Sequence, residues 1–239
     1  MKPELFSDKS AMKILIFCAH ADDEVIGMGG TIRKFALAGA EIRLVMFSEG
    51  AEGYGSEAER NRIVAQRDAE TRKVCALLGI GEYFNLHGLD WDLRVGNAAY
   101  RAVIHHIRSM RPDAIFTHGC RDYNDHQAVS KTVAEAWFHA SLACAMEKDP
   151  VYPMVPLYEF EVIVGMEEPS LIVDISDVFE TKLEAMALYG SQTGVVGGAA
   201  QMIAGRAMLR GQQIGVAYGE AFRRSTYRPA KISNIQQLL

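Results

Sequence analysis

The chain has 239 residues, 49% of them hydrophobic and 23% charged, with a formal net charge of −5 and a pI near 5.8. That length buries a sizeable core, and one α/β domain over residues 1–239 is expected. The acidic balance without a Lys/Arg cluster excludes an extended nucleic-acid surface, and no apolar run approaches the roughly 20 residues that cross a bilayer.

The first apolar run, 13–18 (KILIFC), reads as a strand, followed by the polar stretch AHADDE and a helical pattern through Leu37. A second run at 42–47 reads as another strand, then come the Gly-rich loop SEGAEGYGSE and an amphipathic helix over 58–78. A strand at 83–86, a helix at 97–110 and a strand at 114–117 continue the alternation. A loop at 118–126 leads to a helix over 127–146, then strands at 157–164 and 171–173. Ser176 is placed to cap a helix through Tyr189, and an Ala- and Met-rich segment closes the chain.

Strands alternating with helices imply βαβ units, hence a Rossmann-like α/β fold: a mostly parallel sheet with helices on both faces. In such sheets ligands bind beyond the carboxyl ends of the strands, near a switch in strand order, which points to the loops at 19–24, 48–57 and 118–126.

Those loops hold the residues that carry chemistry. His20, Asp22, Asp23 and Glu24 crowd four ionisable groups directly after a buried strand, where carboxylates repel one another unless a cation compensates. Two readings stand on this motif alone: a metal site, or acids that cap the next helix and face water. The second cluster, Asp122-Tyr-Asn-Asp125-His126, follows the 114–117 strand and comes to the same sheet edge, which favours the metal. Two imidazoles and a carboxylate with an open position are a frequent catalytic zinc shell, and Fe(II) accepts the same donors. The glycines of GMGG (27–30) lack the GxGxxG spacing of a dinucleotide loop and are read as close helix packing.

AHADDE followed by GMGGT resembles the (P/A)HPDDE signature of the PIG-L/LmbE-like zinc N-deacetylases. Arg67-Asp-Ala-Glu70 followed by Leu78-Gly79, the DH at 125–126, the segment VDISDVFETKLEAMALYGSQ and the tail AYGEAFR are similar to further family segments, so the resemblance runs from about Met12 to Arg223. It implies that His20, Asp23 and His126 are the zinc ligands and Asp22 the general base, with an N-acylated amino sugar of N-acetylglucosamine type as substrate. Asp125 is placed to orient a ligand histidine, or serves as a plain cap. The sequence departs from the family where Tyr123 replaces the first His of HxDH and Ala21 the usual Pro. The oxyanion donor is then Tyr123 or His118, with Tyr123 ranked first.

Arg67 and Asp90 are carried over as substrate-binding residues, each beside a blander reading: an i to i+3 pair of Arg67 with Glu70, and a turn-forming Asp90 next to Trp91. Trp91 is also read as a surface for a ring to stack on. His87, His105, His106 and His139 are read as structural or exposed, and Arg223, Arg224 and Arg228 as a solvated helix face. Four cysteines without a CxxC pair and no charged-then-apolar leader suggest the reducing cytoplasm, with Cys18 and Cys75 in the core. The apolar segment 195–219 is expected to pack in a homo-oligomer interface. Two rival classes remain: a non-catalytic sugar- or nucleotide-binding module, and a nucleotide-dependent enzyme.

Overall fold

The computed structural model describes residues 11–144, 149–192 and 197–229. Five parallel strands, β1 (Lys13–Cys18), β2 (Glu41–Ser48), β3 (Glu82–Gly88), β4 (Ala114–His118) and β5 (Leu157–Phe160), lie in the order 3-2-1-4-5. β7 (Gly219–Arg224) then pairs antiparallel with both β5 and β6 (Leu171–Asp174), giving seven strands. The order reverses between β1 and β4, so the chain leaves the carboxyl ends of these neighbours in opposite directions and opens a crevice there.

Period-two alternation assigns the two faces. Ile14, Ile16 and Cys18 of β1 face α1 (Asp23–Leu37), α2 (Ile63–Leu78), α5 (Phe179–Ala187) and α6 (Ala199–Ile214); Leu15, Phe17 and Ala19 face α3 (Asn97–Met110) and α4 (Asn124–Ala140). Helices on both faces of a mostly parallel sheet match the expected architecture.

Several boundaries differ from expectation; the strand expected at 157–164, for one, ends at Phe160. The second helix starts at Ile63, after a 3-10 turn at Glu57–Glu59. α4 begins at Asn124, so Asp125 and His126 stand on its first turn and not in a loop, where the helix dipole favours an acid such as Asp125. The same helix ends at Ala140, behind Ser141, short of the expected Met146, which lies outside the described residues. Ser176 does not cap α5; its hydroxyl donates to Asp174 Oδ1 (2.6 Å) and the helix starts at Phe179 behind Val178. Strand β7 was not expected, and it places Arg223 and Arg224 on a sheet, with Arg223 paired to Glu159, and not on a solvated helix.

α1 is interrupted. Met28 has φ −152° and ψ 23°, which removes helical hydrogen bonds across the break. The carboxylate of Glu220 on β7 accepts the freed N–H groups of Gly30 (2.9 Å) and Thr31 (2.7 Å), while Lys182 Nζ donates to the freed carbonyl of Ile26 (2.9 Å) and to Glu220 Oε1 (2.6 Å). A buried ion pair thus substitutes for the missing helical bonds. The glycines of this helix meet their neighbours closely: a Cβ on Gly27 would lie 2.5 Å from Phe160, and one on Gly30 2.8 Å from Ile175. Close packing is therefore why they are glycines.

Removing one partner of a buried pair strands the other charge, so Glu220→Ala is expected to lower the unfolding free energy by about 3–5 kcal/mol in urea titration. Adding Lys182→Met should recover part of that loss; equal or greater loss in the double variant would show that the pair is not coupled.

Candidate active site

β1 and β4 deliver the site. Beyond Cys18 the chain turns through His20 and Asp22 into α1; beyond His118 it turns through Asp122 and Tyr123 into α4. Asp22 occupies the left-handed region (φ 104°, ψ −28°), costly for a side chain with a Cβ and typical of strain kept at functional sites. Three contacts hold it there. Its carbonyl accepts the N–H of Ile26 (2.9 Å), its own N–H donates to Glu24 Oε2 (3.3 Å), and Glu24 Oε1 accepts the hydroxyl of Tyr189 (2.5 Å).

His20, Asp23 and His126 offer donor atoms that all lie within 4.8 Å of one another. Asp23 Oδ2 accepts the His20 N–H (2.7 Å), and Asp23 Oδ1 lies 3.2 Å from His126 Nε2. His126 is buried, and although carboxylate oxygens of Asp23 and Asp122 approach its two ring nitrogens to 3.2 and 3.4 Å, neither nitrogen is aligned for a hydrogen bond. A buried imidazole nitrogen without a proper partner, aimed at a carboxylate and a second imidazole, suits a metal ion. Two nitrogens and an oxygen match zinc or ferrous iron.

The electrostatics point the same way. Burial alone would keep His20 neutral, but its hydrogen bond to Asp125 and the charges of Asp23 and Asp90 lift its pKa to about 10. Burial likewise opposes charge on His126, and Asp23 and Asp122 raise it to about 9. The crevice therefore favours positive charge between its carboxylates. Asp22, buried and next to Asp23, is raised to about 7, with Arg67 pulling the other way.

Each candidate ligand histidine has a carboxylate behind it. His20 Nε2 donates to Asp125 Oδ2 (3.2 Å), which leaves Nδ1 facing Asp23 and the Tyr123 hydroxyl at 3.0 Å. Asp125 Oδ2 also accepts the Trp91 N–H (2.7 Å). Behind His126 stands Asp122, whose Oδ2 also accepts the N–H of Ile163 (3.1 Å) and of Val164 (3.3 Å). Asp122 belongs to the second cluster of the sequence, where its i to i+4 spacing from His126 is the signal for this place behind the ring.

Of the two oxyanion candidates, Tyr123 is half-exposed with its hydroxyl at the site, whereas His118 is 1% exposed, beneath the site. His118 Nε2 accepts the N–H of Ala19 (2.9 Å), its ring stacks on His126 at 4.0 Å, and burial holds its pKa down at about 4. With Nε2 accepting from Ala19, the proton of the neutral ring sits on Nδ1, which is buried without a partner among the described residues, whereas the Tyr123 hydroxyl reaches the site itself.

Arg67 and Asp90 come to the site from below. Arg67 is 5% exposed and does not pair with Glu70, which binds Ser191 and Gln66. Its guanidinium donates to the carbonyl of Ala21 (2.7 Å) and to Gln192 Oε1 (3.1 Å), and it fills the space where Gly53 has no Cβ. Asp90 accepts the hydroxyl of Ser48 and the N–H of Glu52 (2.7 Å), fixing the loop after β2. Both side chains are buried and support the loops that wall the crevice, and Asp90 Oδ1 also comes within 3.7 Å of His20 Nε2. A polar hollow lined by Arg121, Asp122, Glu161, Glu167 and Arg223 opens beside Asp122, beyond the end of β4.

Comparison with known proteins agrees with this geometry. The family described as PIG-L, GlcNAc-PI de-N-acetylase, matches residues 15–137, and the chain belongs to that family. It is 26% identical over 196 residues to the diacetylchitobiose deacetylase of Thermococcus kodakarensis, covering 79% of this chain and 72% of that protein. The N,N'-diacetylchitobiose deacetylase of Pyrococcus horikoshii, complexed with its inhibitor MPG, superposes with a TM-score of 0.83 at 26% identity, over 96% of this chain and 89% of that one. The 4-carboxy-2-hydroxymuconate hydratase GalB of Pseudomonas putida KT2440 shares the fold at a TM-score of 0.80 and 21% identity, over 94% and 99% of the two chains. The fold therefore hosts more than one chemistry, and function has to be argued from the site.

Carboxylates behind metal-bound imidazoles typically govern affinity by about 10–100-fold, so Asp125→Asn and Asp122→Asn are each expected to weaken zinc binding by that factor. Competition with a chromogenic chelator measures it; unchanged affinity in both variants would show that these acids do not hold the ligand rings.

Proposed function

We propose that this chain is a metal-dependent N-deacetylase of an N-acetylglucosamine-type compound. The observation that carries the reading is the His20–Asp23–His126 donor set beside a strained Asp22 that has no hydrogen-bond partner for its carboxylate among the described residues. Deacetylase relatives support the reaction class and the sugar class. Zinc is the metal we infer, with Fe(II) able to occupy the same donors. When bound, the ion supplies Lewis acidity that polarises the acyl carbonyl and acidifies water.

The chain's own residues do the rest. Asp22 takes the proton from the attacking water and returns it to the leaving amine. The Tyr123 hydroxyl donates to the oxygen on which negative charge develops. Asp125 keeps the His20 ring in the tautomer that leaves Nδ1 free for the ion. Arg67 and Asp90 keep the loops at 21 and 48–52 in place as walls for the substrate. The sugar's remaining bulk has room in the polar hollow bounded by Arg121 and Arg223.

We further read residues 1–239 as one domain, since all seven strands form one sheet. Cytoplasmic residence is supported by Cys18 and Cys75 as buried free thiols. No described helix is long and apolar enough to cross a membrane. Self-association is supported by the exposed Met208, Leu209 and Ile214 of α6. Residues 195–196 of the expected interface lie outside the described residues.

Metal analysis by mass spectrometry, paired with amine release from N-acetylated amino sugars, tests the reaction. The wild type is expected to hold one zinc or iron and release amine, and His126→Ala to lose the metal. Asp22→Asn should keep the metal while amine release falls by about 10²–10⁴-fold. Metal retained by His126→Ala would refute the ligand assignment, and undiminished turnover in Asp22→Asn would refute the base. A dimer or larger species by light scattering at micromolar concentration is expected; a monomer would refute the α6 interface.

A further inference from the structure

The two tryptophans of this chain are placed in opposite ways. Trp137 is buried at 8% exposure, and its indole N–H donates to the carbonyl of Val155 at 3.0 Å. Trp91 is 71% exposed, and its ring makes no hydrogen bond, ring contact or cation contact with any described residue. A bare indole is expensive in water, and its N–H ordinarily finds a partner when the ring is covered.

The backbone at Trp91 is also unusual. Its φ of 63° is in the left-handed region, which a bulky residue adopts at a cost of roughly 1–3 kcal/mol. The conformation is secured by the N–H bond to Asp125 Oδ2, the same oxygen that accepts from His20 Nε2. One residue earlier, Asp90 Oδ1 comes within 3.7 Å of His20 Nε2. Backbone strain and an anchor on the acid behind a metal ligand therefore fix an unpartnered aromatic ring at the rim of the site. Among the described residues no contact of the Trp91 ring offsets that strain.

We propose that Trp91 is the stacking platform for the pyranose ring of the substrate, and so a specificity-determining residue of the site. A pyranose carries C–H groups on its faces and hydroxyls around its edge. An indole face covers the C–H groups without demanding hydrogen bonds from them, and the anchor on Asp125 sets the platform's position relative to His20. This inference rests on the reading of the site as an amino-sugar deacetylase. It assigns to Trp91 the recognition of the ring, as distinct from the acyl group, which faces the metal ligands.

The test compares wild type, Trp91→Phe and Trp91→Ala, each first shown to melt at the wild-type temperature, on N-acetylglucosamine and on the acyclic N-acetylethanolamine. Trp91→Ala is expected to raise KM for the sugar about tenfold, the size of a good aromatic contact, with kcat within about twofold and the acyclic amide unaffected; Trp91→Phe should retain most of the sugar affinity. An unchanged KM for the sugar in Trp91→Ala, or an equal loss on both substrates, overturns the proposal. Should no acetamide be hydrolysed, the deacetylase reading itself fails, and fluorescence decides the platform separately. Because Trp137 is buried, titration with N-acetylglucosamine should quench or blue-shift the emission of wild type and leave Trp91→Phe unchanged. An unresponsive wild type overturns the platform.

Discussion

The crowding of buried carboxylates around two imidazoles is the constraint from which the rest of the site follows. Asp22, Asp23, Asp122 and Asp125 are all under 9% exposed, and such a group of like charges is untenable in a protein interior without compensation. The imidazoles of His20 and His126 provide it by holding protons, and a divalent ion between them would provide it better. The surrounding contacts then serve to keep these groups from separating to relieve their repulsion. Asp125 holds the His20 ring by a hydrogen bond and Asp122 faces the His126 ring at 3.4 Å, while Glu24 holds the Asp22 amide and Arg67 the Ala21 carbonyl.

Architecture makes that crowding affordable. At the reversal of strand order between β1 and β4, two loops leave neighbouring strands in opposite directions, so ligands from distant parts of the chain converge without a long connection between them. Helices α2 and α5 contribute from one face through Arg67, Thr71 and the segment that ends in Tyr189 and Gln192; β3 contributes from the edge through the Asp90 turn. The family relationship and the shared fold of a hydratase fit this picture, because the sheet sets the position of the crevice while the side chains at its mouth decide the reaction.

Much of this was readable from residues alone, and the parts that were not share a cause. β1, β2 and α3 announce themselves by continuous apolar runs and helical periodicity, and the two acidic clusters already pointed to His20, Asp23 and His126, which the structure brings together. β7 was missed because Gly219 to Arg224 contains no β-branched residue and its burial comes from tertiary pairing with β5 and β6. The start of α4 was misplaced because Asp122 to Asp125 looks like a polar loop, while the helix recruits its acids for the first turn. Arg67 and Asp90 also anchor loops, a part that their motifs alone do not give. Their inward orientation depends on Gly50, Gly53 and Ser48, residues whose spatial proximity no local pattern reveals.

The break in α1 has a consequence for how this protein comes into being. The helix that begins with Asp23 cannot satisfy its own backbone around Met28; it borrows from Lys182 and Glu220, which lie 156 and 190 positions away from their partners Ile26 and Gly30. The three candidate metal donors all precede residue 127, yet the helix that carries Asp23 is completed by contacts to α5 and to β7, which lies between β5 and β6. The alignment of the site therefore depends on pairing between segments far apart in the chain, which form late relative to local structure.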